Sequence, residues 1–115
     1  PPRSTLFPYT TLFRSTKDEW KRVGARGAAI EAEFAAAFKA GARPDGAAAL
    51  ELCARWADHL RAFYDPSPDM LAGLGRMYAD HPEFRARYEG MAPGLADWLA
   101  NALAAYAGTL NQKSL

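Results

Sequence analysis

The sequence predicts an all-α domain, a compact bundle of about five helices. Three observations carry that expectation. Apolar side chains recur at spacings of three and four through most of the chain, the mark of amphipathic helices. No Val/Ile-rich alternating run is present, so no strand is expected. Glycine and proline fall between the periodic stretches at short intervals, which predicts short connections between neighbouring helices.

Residues 1–15 are unlike the rest. Thr-Leu-Phe occurs at 5–7 and again at 11–13, and alanine, abundant afterwards, is absent. The stretch reads as a non-native leader of adapter or vector type and is set aside for fold reasoning. The competing reading is a genuine N-terminal arm whose apolar residues fold over a groove. The domain proper is expected over residues 16–108.

Thr16-Lys17-Asp18-Glu19 has the form of a capping box, in which the Thr16 hydroxyl and the Glu19 carboxylate each accept an otherwise unsatisfied backbone N–H. Trp20, Val23, Gly27, Ile30, Phe34 and Phe38 then form one apolar stripe, a first helix ended by Gly41 and Pro44. Gly24 and Gly27 weaken it by roughly 1 kcal/mol each relative to alanine. Asp45 is the expected N-cap of a second helix, with Leu50, Cys53, Trp56, Leu60 and Phe63 or Tyr64 inward. Asp65-Pro66-Ser67-Pro68 stops it, because the prolines cannot continue the ladder. Ser67 or Pro68 opens a third helix, with Leu71, Leu74, Met77 and Tyr78 inward. Asp80 is expected to cap a short fourth helix, with Pro82 in its first turn and Phe84, Tyr88 and Met91 pinning it. Pro93 is expected to open a fifth, with Leu95, Trp98, Leu99, Ala102 and Tyr106 inward and Gly108 at its end. Residues 109–115 read as a frayed tail.

Several chemistries are disfavoured at the outset. The 115 residues carry a formal charge of +1 with acids and bases interspersed, and a nucleic-acid binder would show a basic stripe. No run of 18 apolar residues exists, so no membrane span is expected, and a cytoplasmic location is the default. Cys53 is the one cysteine. It lies on the apolar stripe of the second helix and reads as inert core. His59 and His81 lack ligand spacing, so neither metal nor haem is expected. Ser67 beside Asp65 and Asp69 reads as a helix cap, and Gly73 and Gly75 fall inside a helix, so no catalytic nucleophile or phosphate loop is expected. No enzyme and no cofactor follow from these residues.

What remains is a surplus of aromatic and sulfur side chains: Trp20, Trp56, Phe63, Tyr64, Met70, Met77, Tyr78, Phe84, Tyr88 and Trp98. They are either core, filling volume that alanine leaves open, or the walls of an apolar cleft for a large aromatic ligand. Composition does not choose between these.

Four segments carry a family resemblance: Thr16-Lys17-Asp18-Glu19-Trp20, Phe63-Tyr64-Asp65, Met77-Tyr78-Ala79-Asp80-His81-Pro82-Glu83-Phe84 and Pro93-Gly94-Leu95-Ala96. In order and spacing the chain from Thr16 to Ala107 resembles the TipAS antibiotic-recognition domain, the effector module of TipA-type MerR-family regulators, with AlbA-type drug binders as relatives. The resemblance implies a globin-like fold that binds bulky, largely planar antibiotics of thiopeptide or albicidin type, with mobile first helices that close over ligand. It makes Trp20, Trp56, Phe63, Tyr64, Met77, Tyr78 and Trp98 the expected cleft walls, with Tyr64 and Tyr78 offering hydroxyls and His59 or Asp65 an orienting hydrogen bond. In the thiopeptide-binding member a cysteine after the Tyr-Asp pair captures ligand covalently. Pro66 stands there in this chain, so reversible binding is expected. The expected role is non-enzymatic resistance by sequestration; the alternative is the effector domain of a MerR-family regulator without its DNA-binding part. The expected partner is a small-molecule or peptide antibiotic, with no nucleic acid bound directly, no membrane, and a monomeric or weakly dimeric state.

Overall fold

A computed structural model of the chain describes residues 2–114, with side chains of Asp18 and of residues 20–111. Its elements are α1 (Pro2–Lys39), α2 (Ala47–Leu60), α3 (Pro68–Asp80), α4 (Pro82–Met91) and α5 (Leu95–Ser114), and no strand occurs among the described residues. The all-α expectation is met.

The first helix does not begin at Thr16; that residue lies inside α1, and the Thr16 and Glu19 side chains of the proposed capping box fall outside the described ones. The helix ends as the glycine predicts. Gly41 adopts φ 86°, its N–H bonds Phe38 C=O at 3.0 Å, and the Ala42 N–H reaches back to Ala37 C=O at 3.0 Å. Together these form a Schellman turn, which satisfies the last carbonyls. Asp45 is not the next cap. Arg43 holds its carboxylate through two bonds of 2.9 and 3.1 Å, and Gly46 takes the N-cap position without a side-chain bond.

Ser67 caps α3, its hydroxyl accepting the Met70 N–H at 3.1 Å, with Pro68 in the first turn. Asp80 remains inside α3, and His81, extended at φ −73° and ψ 124°, separates α3 from α4. Pro82 then fixes the first turn of α4. Pro93-Gly94 forms a turn before α5 rather than its first turn. The free N–H groups there are met from the preceding helix: Glu89 accepts from Gly94 at 2.9 Å and from Ala96 at 3.0 Å. Those two bonds are the main reason its carboxyl titrates below its usual range, and the positive end of the α5 dipole suits the charge. The helix passes through Gly108 to Ser114.

The core lies where α3 packs along α5. Leu71, Leu95, Leu99 and Leu103 are fully buried, with Phe34 and Cys53. Gly75 lets the two helices approach closely: a Cβ there would lie 3.1 Å from Ala100 Cα and 3.2 Å from its carbonyl oxygen. Arg85 ties the same corner together, donating to Ala79 C=O at 2.9 Å and to Asp97 at 3.1 and 3.3 Å. Phe34 carries the core toward α1 and α2, standing edge-on to Trp98 at 6.2 Å and to Trp56 at 6.3 Å.

Candidate functional site: an aromatic cleft between α1 and α2

Of the expected site residues, Trp20, Trp56, His59 and Phe63 come together. They line an open cleft of about 240 Å³ whose other walls include Val23, Gly24, Gly27, Glu31 and Arg87. Trp20 stacks on Phe63 with centroids 5.2 Å apart and planes 26° from parallel. Both stay exposed, 53% and 45%, so a stacked aromatic pair faces water at the mouth. Aromatic faces left in water are unusual when a core is within reach, and they mark surfaces that meet a partner.

Behind that pair the cleft has a floor. His59 lies edge-on to Phe63 at 6.0 Å, and Trp56 packs on His59 at 5.1 Å. Gly27 makes the fit possible, since a Cβ there would come within 2.8 Å of His59 Nε2. Burial pushes the His59 pKa down and Arg26 adds to it, while Glu31 opposes. Two buried nitrogens, Trp56 Nε1 and His59 Nδ1, have no hydrogen-bond partner. A buried polar group without a partner costs about 1–3 kcal/mol.

Tyr78 stands behind this floor rather than in it. It is buried against Trp56 at 6.4 Å, Phe84 at 5.5 Å and Tyr88 at 5.3 Å. Burial pushes its hydroxyl up to about 12, against a lowering by the Trp56 N–H, which faces it without closing a full hydrogen bond. Trp98 is elsewhere. Its indole N–H donates to Ala42 C=O at 2.8 Å, and it packs edge-on to Phe34 and Phe38, pinning the end of α1 to α5. Tyr64, Asp65 and Met77 are exposed and not among the cleft walls, and Asp65 pairs with Arg61 at 3.3 Å. Met77 and Leu74 do not point fully inward as expected; Met77 is 38% exposed, because Leu71, Gly75, Tyr78 and Ala79 already fill the face of α3 toward the core.

Sequence reasoning missed the polar end of the cleft. The Glu31 carboxylate is buried and accepts from Tyr88 Oη at 2.7 Å and from both Nε and Nη2 of Arg87, at 3.3 and 2.5 Å. This cluster bolts α4 to α1. Burial, then the bond to Glu31, pushes the Tyr88 hydroxyl far above its usual range. The available signal was a charge out of place: Glu31 follows Gly27 by four and adjoins Ile30 on the apolar stripe, where a carboxylate needs a partner. A second recess of about 380 Å³ opens on the other side of the helix pair, between Arg26, Ala29, Ile30, Arg55, Asp58 and His59. Its walls are held by Arg55 on Glu33, at 2.8 and 2.6 Å, and Arg61 on Asp58, at 2.5 Å.

Cys53 is fully buried and burial pushes its thiol up to about 12, so it offers no thiolate at neutral pH. Among the described residues no group of three or more His, Cys, Asp or Glu could hold a metal ion. None of their helices is long and apolar enough to cross a membrane.

A small all-α domain with an open aromatic cleft has the form expected of a ligand-binding domain. The chain belongs to the TipAS antibiotic-recognition domain family, which it matches over residues 11–106. Among solved structures it is similar to TipAS from Streptomyces lividans in complex with nosiheptide, part of a thiopeptide antibiotic multidrug resistance system. That likeness has a TM-score of 0.74 and 26% identity, over 82% of this chain and 66% of that one. The fold is accordingly all-α and globin-like. The chain is 39% identical over 93 residues to the HTH-type transcriptional regulator SkgA, found alike in two strains of Caulobacter vibrioides. The match takes in 79% of this chain but spans only 36% of that regulator's length.

Proposed function

We propose that this domain binds a bulky, largely planar antibiotic of thiopeptide or albicidin type, non-enzymatically and reversibly, in the cleft between α1 and α2. The observation that carries the reading is the Trp20–Phe63 stack left in water above a floor made by Trp56 and His59. A flat ring system laid on the stack removes its apolar faces from water, at roughly 25 cal/mol per Å². Reversibility follows from Pro66 after Tyr64-Asp65 and from a buried Cys53 with no thiolate. Tyr78 acts from behind by holding Trp56, and Tyr64, Asp65 and Met77 belong to a rim that a large ligand can reach only beyond the cleft.

Titration of tryptophan fluorescence and calorimetry with thiopeptides and an albicidin-like compound test this. Saturable binding that dialysis reverses, with no mass adduct and no change in Cys53→Ser, is the expected result. Absence of binding across the panel would remove the reading, and a stable adduct would remove its reversibility.

Resistance by sequestration in the cytoplasm needs no more than this binding and abundance. The similarity to SkgA favours a second reading, in which the domain is the effector part of a helix-turn-helix regulator. An in-frame helix-turn-helix upstream of Thr16 in the genomic sequence supports the regulator; a start codon close to Thr16 supports the free-standing binder.

A further inference from the structure

The polar end of the cleft has a direction. Arg87 presents two edges for planar acceptors. The edge made of Nε and Nη2 is taken by the two oxygens of Glu31. Tyr88 Oη also neighbours the guanidinium, but the other edge, Nη1 with the second N–H of Nη2, makes no full hydrogen bond among the described residues. The Arg87 side chain is 54% exposed and lines the cleft. Glu31, the acidic group among the cleft walls, is already engaged: it takes three hydrogen bonds and its side chain is 8% exposed. The cleft therefore has a donor edge to spare and no spare carboxylate.

We infer that Arg87 is a specificity-determining residue that selects planar ligands bearing a carboxylate, with Glu31 as the positioning residue that fixes its fork. The inference rests on the proposed binding in this cleft and names the chemistry that the ligand brings to it. A carboxylate meets the free edge of a guanidinium through two parallel N–H···O bonds, and such charge-assisted pairs are roughly twice as strong as neutral ones. Tyr88 gives Glu31 an anchor independent of Arg87, so the carboxylate remains aimed at the guanidinium while its outer edge engages a ligand. An amide in place of the carboxylate has one acceptor oxygen and presents N–H groups to a donor, losing one of the two bonds and the charge.

The probe is a flat bis-thiazole carboxylic acid, compared with its primary carboxamide by fluorescence titration. The wild-type protein should prefer the acid by roughly tenfold or more, the scale of one hydrogen bond to a charged group. Arg87→Met should bring that ratio close to one. The double variant Arg87→Met with Glu31→Gln does the same without leaving a buried charge unpaired, which guards against misfolding. Arg87→Lys, which keeps the charge without the fork, should retain only part of the preference. A wild-type ratio near one, or a preference that survives in Arg87→Met, overturns the inference, as does failure of both probes to bind. If thiopeptides bind and the acid–amide ratio is one, only the carboxylate selection is lost; if thiopeptides also fail, the binding cleft is lost with it.

Discussion

The α3–α5 half and the α1–α2 half of this domain solve opposite problems. Along α3 and α5, leucines meet with no exposed surface and Gly75 brings the backbones together. Across α1 and α2, glycine is used to keep space open. Gly27 makes room for an imidazole, two polar nitrogens lack partners, and a tryptophan–phenylalanine stack sits in water. Close packing of the first kind stabilises a fold; the second kind forgoes stability and leaves an aromatic surface in water. In this chain the two are separated by element, so they can be perturbed separately.

Four experiments test that separation, in descending order of their expected effect on stability. Leu99→Ala empties a fully closed site on α5 and should destabilise the domain by about 3–4 kcal/mol in urea unfolding. Gly75→Val pushes a branched side chain against Ala100 backbone, which cannot swing aside, for a loss of about 2–3 kcal/mol. His59 provides a pH test. Its folded-state pKa is depressed, by burial first and Arg26 second, so the unfolded chain binds the proton more readily. Stability is then full above the unfolded value and declines as pH falls from about 7 toward 5. Unfolding at pH 7.5 and 5.5 should show the decline in the wild type and a weaker one in His59→Gln. The window lies above that of Glu89 and Asp97, whose carboxyls are held low by backbone N–H groups and Arg85 respectively. Trp20→Ala should move stability least, within about 0.5 kcal/mol, while reducing affinity for a planar antibiotic more than any of the others. Equal losses of stability from Trp20→Ala and Leu99→Ala would erase the distinction between the halves.

The two halves also differed in how far the sequence disclosed them. Helices α2 to α5 and most of their inward residues follow from periodicity, and Ser67-Pro68 and Gly41 fix boundaries because their local chemistry allows few alternatives. Caps supplied from a distance were not legible: Glu89 serves α5 from the preceding helix, and Arg43 draws Asp45 away from α2. Leu103 was missed as core, although it follows Leu99 by four on the buried face of α5. At the cleft, four of the nine expected site residues, Trp20, Trp56, His59 and Phe63, lie together. Trp98 was grouped with them because an indole's partner is invisible in one dimension, and Ala42 C=O is 56 residues away. The cluster of Glu31 with Arg87 and Tyr88 was absent from the expectation for the same reason, Glu31 lying 56 and 57 residues from its two partners.

Phe34 stands edge-on to Trp98 on one side and to Trp56 on the other, and it is the ring that the closed half and the open half share. Residues that touch no common neighbour change a protein almost independently, whereas those that do are coupled. Substitutions around Trp20 and Phe63 should therefore act almost independently of those along α3 and α5. A change at Phe34 should be felt on both sides at once.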